Sequence, residues 1–533
     1  MSDNAAGERR KGNGRIAEFA SPRPHGISGR RGRRPTLSEQ ASKTAGYPLK
    51  VLQVVALALF ALKLALLAIA NPFMDEAYYW MWGQHPALSY FDHPPMVAWV
   101  QGLSAAIFGW NRFALRLPIV LTMIGDFALL YLFARRLAGE RWRDWFWLSA
   151  VIFLTAPIYL AMTTVTLPDH LLILFGLASL CCLHGFAESF EAGTPRWRWL
   201  YLGAVALGLT MLTKYYGALL GAGFVLFVVL RARGMLRSPH FYLAALLAIA
   251  MQTPVIVWNI QNDFASFAFI VGGRSTVTSS LSFIGTLGYL LGIVAIVSPF
   301  LMWPMVRFAL GRGANPQWLP ITIFWVSTLA FFVASLVTNI LIHWNLVAYI
   351  AMLPFLVPYL RSRILLAAQV AYGVLAIGLL GFNYGVAPIV GLIGYADQTS
   401  AWSHGWDEIA PRVAALKSEN GAAFVATNGY VLAGSLGFAM RDPGVTSLSS
   451  SQDAFDFWRD DAALDGKDAI IVGDKWRSVT DGFERNFESV TLLETIRIER
   501  FGKRIDTYRI YLGKGFSAAS QAEKSTAGSG RAM

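Results

Sequence analysis

The residues best suited to chemistry crowd into one short stretch. Residues 71–96 read NPFMDEAYYWMWGQHPALSYFDHPPM and hold Asp75, Glu76, His85, Asp92 and His93 among Tyr78, Tyr79, Trp80, Trp82, Tyr90 and Phe91, with no Lys or Arg between them. A carboxylate beside apolar walls loses hydration, and its pKa can rise toward the range of a general base; the Asp75-Glu76 pair is the candidate for that role. Asp92 and His93 precede two prolines, which fix the backbone and end local helix, so acid and imidazole sit in a rigid corner suited to a cation or a phosphate. Further ionisable groups mark the edges of later apolar runs: Asp169 and His170 after Pro168, Lys214 in LTKYY, Arg274 after two glycines, and His343 before Trp344. Each has a plainer reading as a helix cap, a snorkelling side chain or an interfacial residue. Phosphate recognition is the sharper one for Lys214 and for the Gly-Gly-Arg turn. No P-loop, no GxGxxG opening a helix, no HExxH and no nucleophile elbow occurs.

The elements that must position these residues are apolar. Of 533 residues, 55% are hydrophobic and 15% charged, against about a quarter charged in soluble domains. Lipid must therefore solvate much of the surface. Apolar runs at 48–70, 113–134, 143–162, 168–187, 197–213, 215–231, 240–258, 281–303, 316–337, 344–360 and 363–383 predict about eleven transmembrane helices. Asp126 is the main charge inside them, expected to be hydrogen-bonded. The net charge of +12 sits mainly in the tails and in alternate short loops. That is how Lys and Arg set membrane topology, and nucleic acid is not expected as a partner. Residues 1–46, with the basic run RRGRR at 30–34, are expected as a disordered cytoplasmic tail. Alternation of basic loops from there puts the loop 71–112 and every candidate residue on the external side. The adjacent Cys181 and Cys182 offer no disulfide or metal spacing.

From about residue 395 the composition changes. Charge rises, and short β-rich runs at 422–427, 469–472, 490–493 and 507–512 accompany helical spacing over 406–417. The expected organisation is a membrane core over 47–394, an external α/β domain over 395–513 and a disordered tail over 514–533.

An acidic DE pair after the first span, a YFDHPP corner and a PD opening a later span, carried on many apolar runs, resemble the polyprenyl-phosphate-dependent membrane glycosyltransferases of the GT-C type. Among these are the protein mannosyltransferase-like group and the lipid A aminoarabinose transferases; DEAYYW and YFDHPP together look like transferases that modify lipopolysaccharide, including galacturonosyltransferases. The resemblance covers about residues 50–385. It implies an inverting transfer of a sugar from a polyprenyl-phosphate donor to an envelope acceptor such as lipid A or the lipopolysaccharide core. By it Asp75 is the catalytic carboxylate and Asp169 the second external acid. Asp92 and His93 stand where the aminoarabinose transferases carry Glu-Lys near the donor phosphate. Glu76, Tyr79, Tyr90, Lys214, Arg274 and His343 fall to substrate binding. No histidine in 259–280 matches the metal-associated histidine of the aminoarabinose transferases. A divalent metal is the one cofactor left open, with Asp92 and His93 as its candidate ligands. The implied setting is the bacterial inner membrane, multi-pass, with the N-terminus cytoplasmic and the C-terminal domain periplasmic. The competing class is a transporter or flippase of lipid-linked sugars, which would place charges deep in the spans. A ligase for whole glycan chains would favour an Arg-rich external loop, and a scaffold would tolerate loss of Asp75.

Overall fold

The computed structural model describes residues 47–273, 281–313, 316–395, 397–476 and 485–518. The tail 1–46, Arg274 and residues 519–533 lie outside the described residues.

Every apolar run becomes a helix or a pair of helices: α1 (Leu49–Ile69), α4 (Arg112–Ala138), α5 (Trp142–Thr155), α6 (Pro157–Met162), α7 (Pro168–Glu191), α8 (Trp197–Thr213), α9 (Ala218–Arg231), α10 (Pro239–Ala250), α11 (Thr253–Gln261), α12 (Phe283–Val297), α13 (Pro299–Ala309), α14 (Trp318–Ser335), α15 (Leu346–Met352) and α16 (Arg363–Gly385). Among the described residues, five stretches are long and apolar enough to cross a membrane: 49–69, 112–155, 168–191, 318–335 and 363–385. The second of these folds back at Gly139 (φ 54°) into two packed helices, which are two of the expected spans.

Two expected spans are broken. Helices α10 and α11 meet at 44°, and α12 and α13 at 103°. Pro299 has no N–H to continue α12, and Ser298, at φ 109°, instead caps the next helix through Phe300 N–H at 3.2 Å. The run 344–360 is not one helix either. It is the seven-residue α15 followed by 3₁₀ turns, almost wholly buried. Its apolarity reflects burial inside the bundle, which a hydropathy window cannot tell from exposure to lipid.

The stretch expected as an external loop is largely helical: α2 (Met74–Gln84) and α3 (Met96–Phe108) flank a turn. The Gly83 and Gly102 backbones touch where the two helices cross; a Cβ on either would stand 2.6 Å from the other. Helix α2 is missed by periodicity because residues 76–83 are all buried and no polar face exists.

What buries α2 is the C-terminal domain. Helices α17 (Trp406–Glu419) and α18 (Tyr430–Met440) lie in sequence around strand β1 (Phe424–Thr427), followed by β2 (Thr446–Ser447), β3 (Ala469–Gly473), β4 (Phe487–Arg500) and β5 (Lys503–Phe516). The sheet order is β2-β1-β3-β5-β4, with β1 parallel to β2 and β3, and β5 antiparallel to β3 and β4. All four β-rich runs and the helix at 406–417 are found; β2 and α18 were not expected. Strand β5 passes the expected domain end at 513, and Ala518 N–H still bonds Asp465. Helix α18 rides directly on α2: a Cβ at Gly434 would stand 2.8 Å from Tyr78 Cα. Tyr78, Trp80 and Trp82 are at most 2% exposed. These aromatic rings join two parts of the protein, each contributing roughly 3 kcal/mol of apolar burial.

Candidate active site

The chain turns at Asn71-Pro72 and enters α2, whose first turn carries Asp75 and Glu76. Acids there complement the partial positive charge of the helix N-terminus. Glu76 points into the protein. Its Oε1 accepts from Arg116 Nε (2.6 Å), Thr166 N–H (3.0 Å) and Thr166 Oγ1 (2.9 Å), and its Oε2 from Arg116 Nη2 (2.8 Å) and Phe73 N–H (3.0 Å). Arg116 also donates to the carbonyls of Leu67 (2.9 Å) and Asn71 (3.1 Å). Glu76 is therefore not a substrate-binding residue but the pin that fixes the start of α2. Successive residues on a helix differ by about 100°, so Asp75 faces elsewhere.

It faces a cavity of about 400 Å³. Five further expected residues line the same cavity: Tyr79, His93, Asp169, Lys214 and His343. They arrive from α2, the corner before α3, the first turn of α7, the end of α8 and the turn before α15. Leu66, Ala70 and Leu380 add apolar wall, and Tyr384 closes it at the end of α16. Lys214 Nζ donates to both oxygens of Asp169, at 2.9 and 3.0 Å, and the pair is nearly inaccessible to solvent. A buried cation held bidentately is rigid. Lys214 is thus anchored by Asp169, which fixes where its ammonium stands in the cavity wall. Tyr79 and His93 pack edge to face, ring centres 5.9 Å apart.

Besides Glu76, two expected residues among those described, Asp92 and Tyr90, do not line this cavity. Asp92 turns away from His93 and accepts from Tyr78 Oη at 2.7 Å. Tyr78 Oη in turn accepts Ala454 N–H of the C-terminal domain (3.1 Å), and burial pushes its phenol well above the ordinary range. The rigid corner therefore splits the Asp92-His93 pair between two environments. Among the described residues no three His, Cys, Asp or Glu side chains gather to hold a metal. Tyr90 stacks on Trp82 at 4.7 Å, its hydroxyl donating to the carbonyls of Trp82 (3.1 Å) and His85 (3.0 Å). Arg274 lies outside the described residues.

The sequence reading missed Arg116 and also Thr166, whose only signal was the hydroxyl-rich TTVT run before Asp169. It also missed Lys63. This lysine is 1% exposed in the middle of α1 and donates to the Leu160 carbonyl and the Thr164 hydroxyl. Thr164 lines the cavity. The spans are thus less free of charge than expected. Asp126 is fully buried in α4, and neither carboxylate oxygen has a hydrogen-bond partner among the described residues; the hydrogen-bonded acid expected there is not found.

Comparison with known proteins finds relatives in sequence and in fold. A family model described as dolichyl-phosphate-mannose-protein mannosyltransferase matches residues 92–258. Lipid A galacturonosyltransferase RgtD of Rhizobium johnstonii is 23% identical over 381 residues, covering 69% of this chain and 78% of that protein. An undecaprenyl phosphate-alpha-4-amino-4-deoxy-L-arabinose arabinosyl transferase of Proteus mirabilis is 31% identical over 138 residues, 25% of this chain and 23% of that one. The crystal structure of ArnT from Cupriavidus metallidurans in the apo state superposes with a TM-score of 0.58 at 15% identity, over 86% of this chain and 98% of that one, so the fold is shared.

Proposed function

We propose that this chain, a polytopic membrane glycosyltransferase of the GT-C type, moves a sugar from a polyprenyl-phosphate donor to lipid A or the lipopolysaccharide core. The observation that carries the reading is the convergence of Asp75, Tyr79, His93, Asp169, Lys214 and His343 on one cavity at the ends of the apolar helices. The names of the relatives above supply the donor and acceptor classes. A lipid-linked donor keeps its chain among apolar helices and presents phosphate and sugar where those helices end. A site for it needs a base, cationic or N–H donors for phosphate, and an aromatic wall for the sugar.

Asp75 takes the proton of the acceptor hydroxyl as that oxygen bonds to the anomeric carbon. The bond from that carbon to the phosphate oxygen breaks, its electron pair leaves with polyprenyl phosphate, and the anomeric configuration inverts. The ring N–H groups of His93 and His343, with Lys214 oriented by Asp169, are placed to stabilise charge on the leaving phosphate. The positive-inside pattern supports an inner-membrane protein with its N-terminus in the cytoplasm and the cavity and C-terminal domain in the periplasm.

The test is lipid analysis of a deletion strain complemented with wild type or Asp75→Asn. The expected result is loss of one sugar from the lipopolysaccharide in the deletion and in the mutant, restored by wild type alone. Unchanged envelope glycans in the deletion would overturn the proposal, and a periplasmic build-up of unreacted donor only with wild type would favour a flippase.

A further inference from the structure

A second cavity, of about 310 Å³, lies on the other side of the 90–93 corner. Its walls come from three places: residues 84–91, Trp258 on α11, and residues 454–458 of the C-terminal domain. Among the described residues no Asp, Glu, Lys or Arg lines it. Its aromatic rings are held by each other. Phe457 packs on Phe91 (5.5 Å) and on Trp258 (5.1 Å), and Trp458 stacks on His85 at 4.6 Å with the rings within 3° of parallel. Gln84, His85 and Ser89 add polar groups to the same lining.

We infer that this cavity binds an uncharged sugar ring of the acceptor, one residue removed from the ring that receives the transferred sugar; the inference rests on the glycosyltransferase reading above. Rigid aromatic faces cover the C–H faces of a pyranose at little entropic cost, and a few convergent polar groups orient its hydroxyls. A lining without Lys or Arg among the described residues disfavours a phosphate or a carboxylate. The polar groups disfavour an acyl chain, which would leave them unsatisfied. The placement fits a continuous acceptor. Phe91 lines this cavity and His93 the catalytic one, and two residues of extended chain span at most about 7 Å. The C-terminal domain thereby gains a part in substrate choice, since membrane helices alone leave this cavity without one wall.

The experiment compares two glycolipid acceptors with the same acyl chains, one with a diglucosamine headgroup and one with a single glucosamine, using purified full-length protein and a polyprenyl-phosphate-linked sugar. Trp458→Ala is expected to raise KM for the two-sugar acceptor about tenfold, the loss of one aromatic face. KM for the donor, kcat and all constants for the one-sugar acceptor should stay as in wild type. Equal KM values for wild type and variant, or an equal rise with both acceptors, would overturn the inference. If wild type transfers sugar to neither acceptor, the glycosyltransferase reading fails instead. Phe457→Leu provides the same comparison if Trp458→Ala lowers the melting temperature.

Discussion

Asp75 and Glu76 are neighbours in sequence, yet they belong to two regions that use buried charge in opposite ways. Behind α2, Glu76 is sealed: Arg116, Thr166 and Phe73 fill its acceptor sites, and its side chain is fully buried. In front of α2, Asp75 borders a cavity of about 400 Å³, beside a lysine already tied to Asp169. A charge whose partners all come from the protein stores structure. A charge that lines a cavity can also be reached by a substrate. Residue type cannot separate the two; only the partners can.

The sharpest test of this contrast is a paired measurement on the two acids. Asp75→Asn is expected to lower sugar transfer about 10²–10⁴-fold, the usual worth of a general base, with an unchanged melting temperature. A fall in melting temperature would mean that Asp75 also belongs to the clamp. Arg116→Met should do the reverse first. It leaves Glu76 buried without its cation, at a cost of about 3–5 kcal/mol, read as a lower thermal midpoint in detergent or nanodiscs. Stability equal to wild type would show that Thr166 and Phe73 alone satisfy the carboxylate.

A third comparison reaches the C-terminal domain. Asp453 is pushed up to about 7 by burial, with Asp456 and Asp92 adding repulsion, while hydrogen bonds from Ser447 and Phe455 oppose the shift; Arg459, paired with Asp456 and Asp461, is the nearest cation. The folded protein therefore holds a proton that the unfolded chain releases near pH 3.9. The stabilisation is complete below that value and is lost as pH rises to about 7. Melting temperatures should fall over this window, and Asp453→Asn should flatten the decline; an unaltered slope would assign it to other groups. The smallest effect is expected at Lys63, whose partners are a carbonyl and a hydroxyl and which has no carboxylate within ion-pair distance among the described residues. Replacing a buried charge without a counter-ion by an apolar isostere is neutral or stabilising. Lys63→Met should keep or slightly raise the thermal midpoint, and a loss as large as that of Arg116→Met would break the distinction between paired and unpaired buried charges.

Much of the fold was legible in the amino acids because lipid imposes a simple code. A membrane-crossing helix must be apolar along its whole length, and each of the eleven apolar runs does become helix. The runs 281–303 and 344–360 misled because a proline break and a wholly buried short helix carry the same hydropathy as a straight span. In the site, Asp75, Asp169, Lys214, His93 and His343 were identifiable as polar groups in places where polar groups are costly. Glu76, Asp92 and Tyr90 met the same criterion and were assigned to substrate, since nothing local marks a side chain that protein will saturate.

By itself, then, the sequence determined that the chain is a membrane protein, where most of its long apolar helices lie, that a small α/β domain follows, and which handful of acids, histidines and one lysine could carry chemistry. Those features depend on local composition and short-range periodicity. The tertiary structure decided which way each charge points: that Arg116, forty residues away, closes on Glu76; that Lys214 belongs to Asp169; that the Asp92-His93 corner divides its two residues; and that α18 covers the aromatic face of α2. These outcomes depend on contacts between residues far apart in the chain, where a difference of about 100° around a helix separates the carboxylate proposed as the base from a structural one.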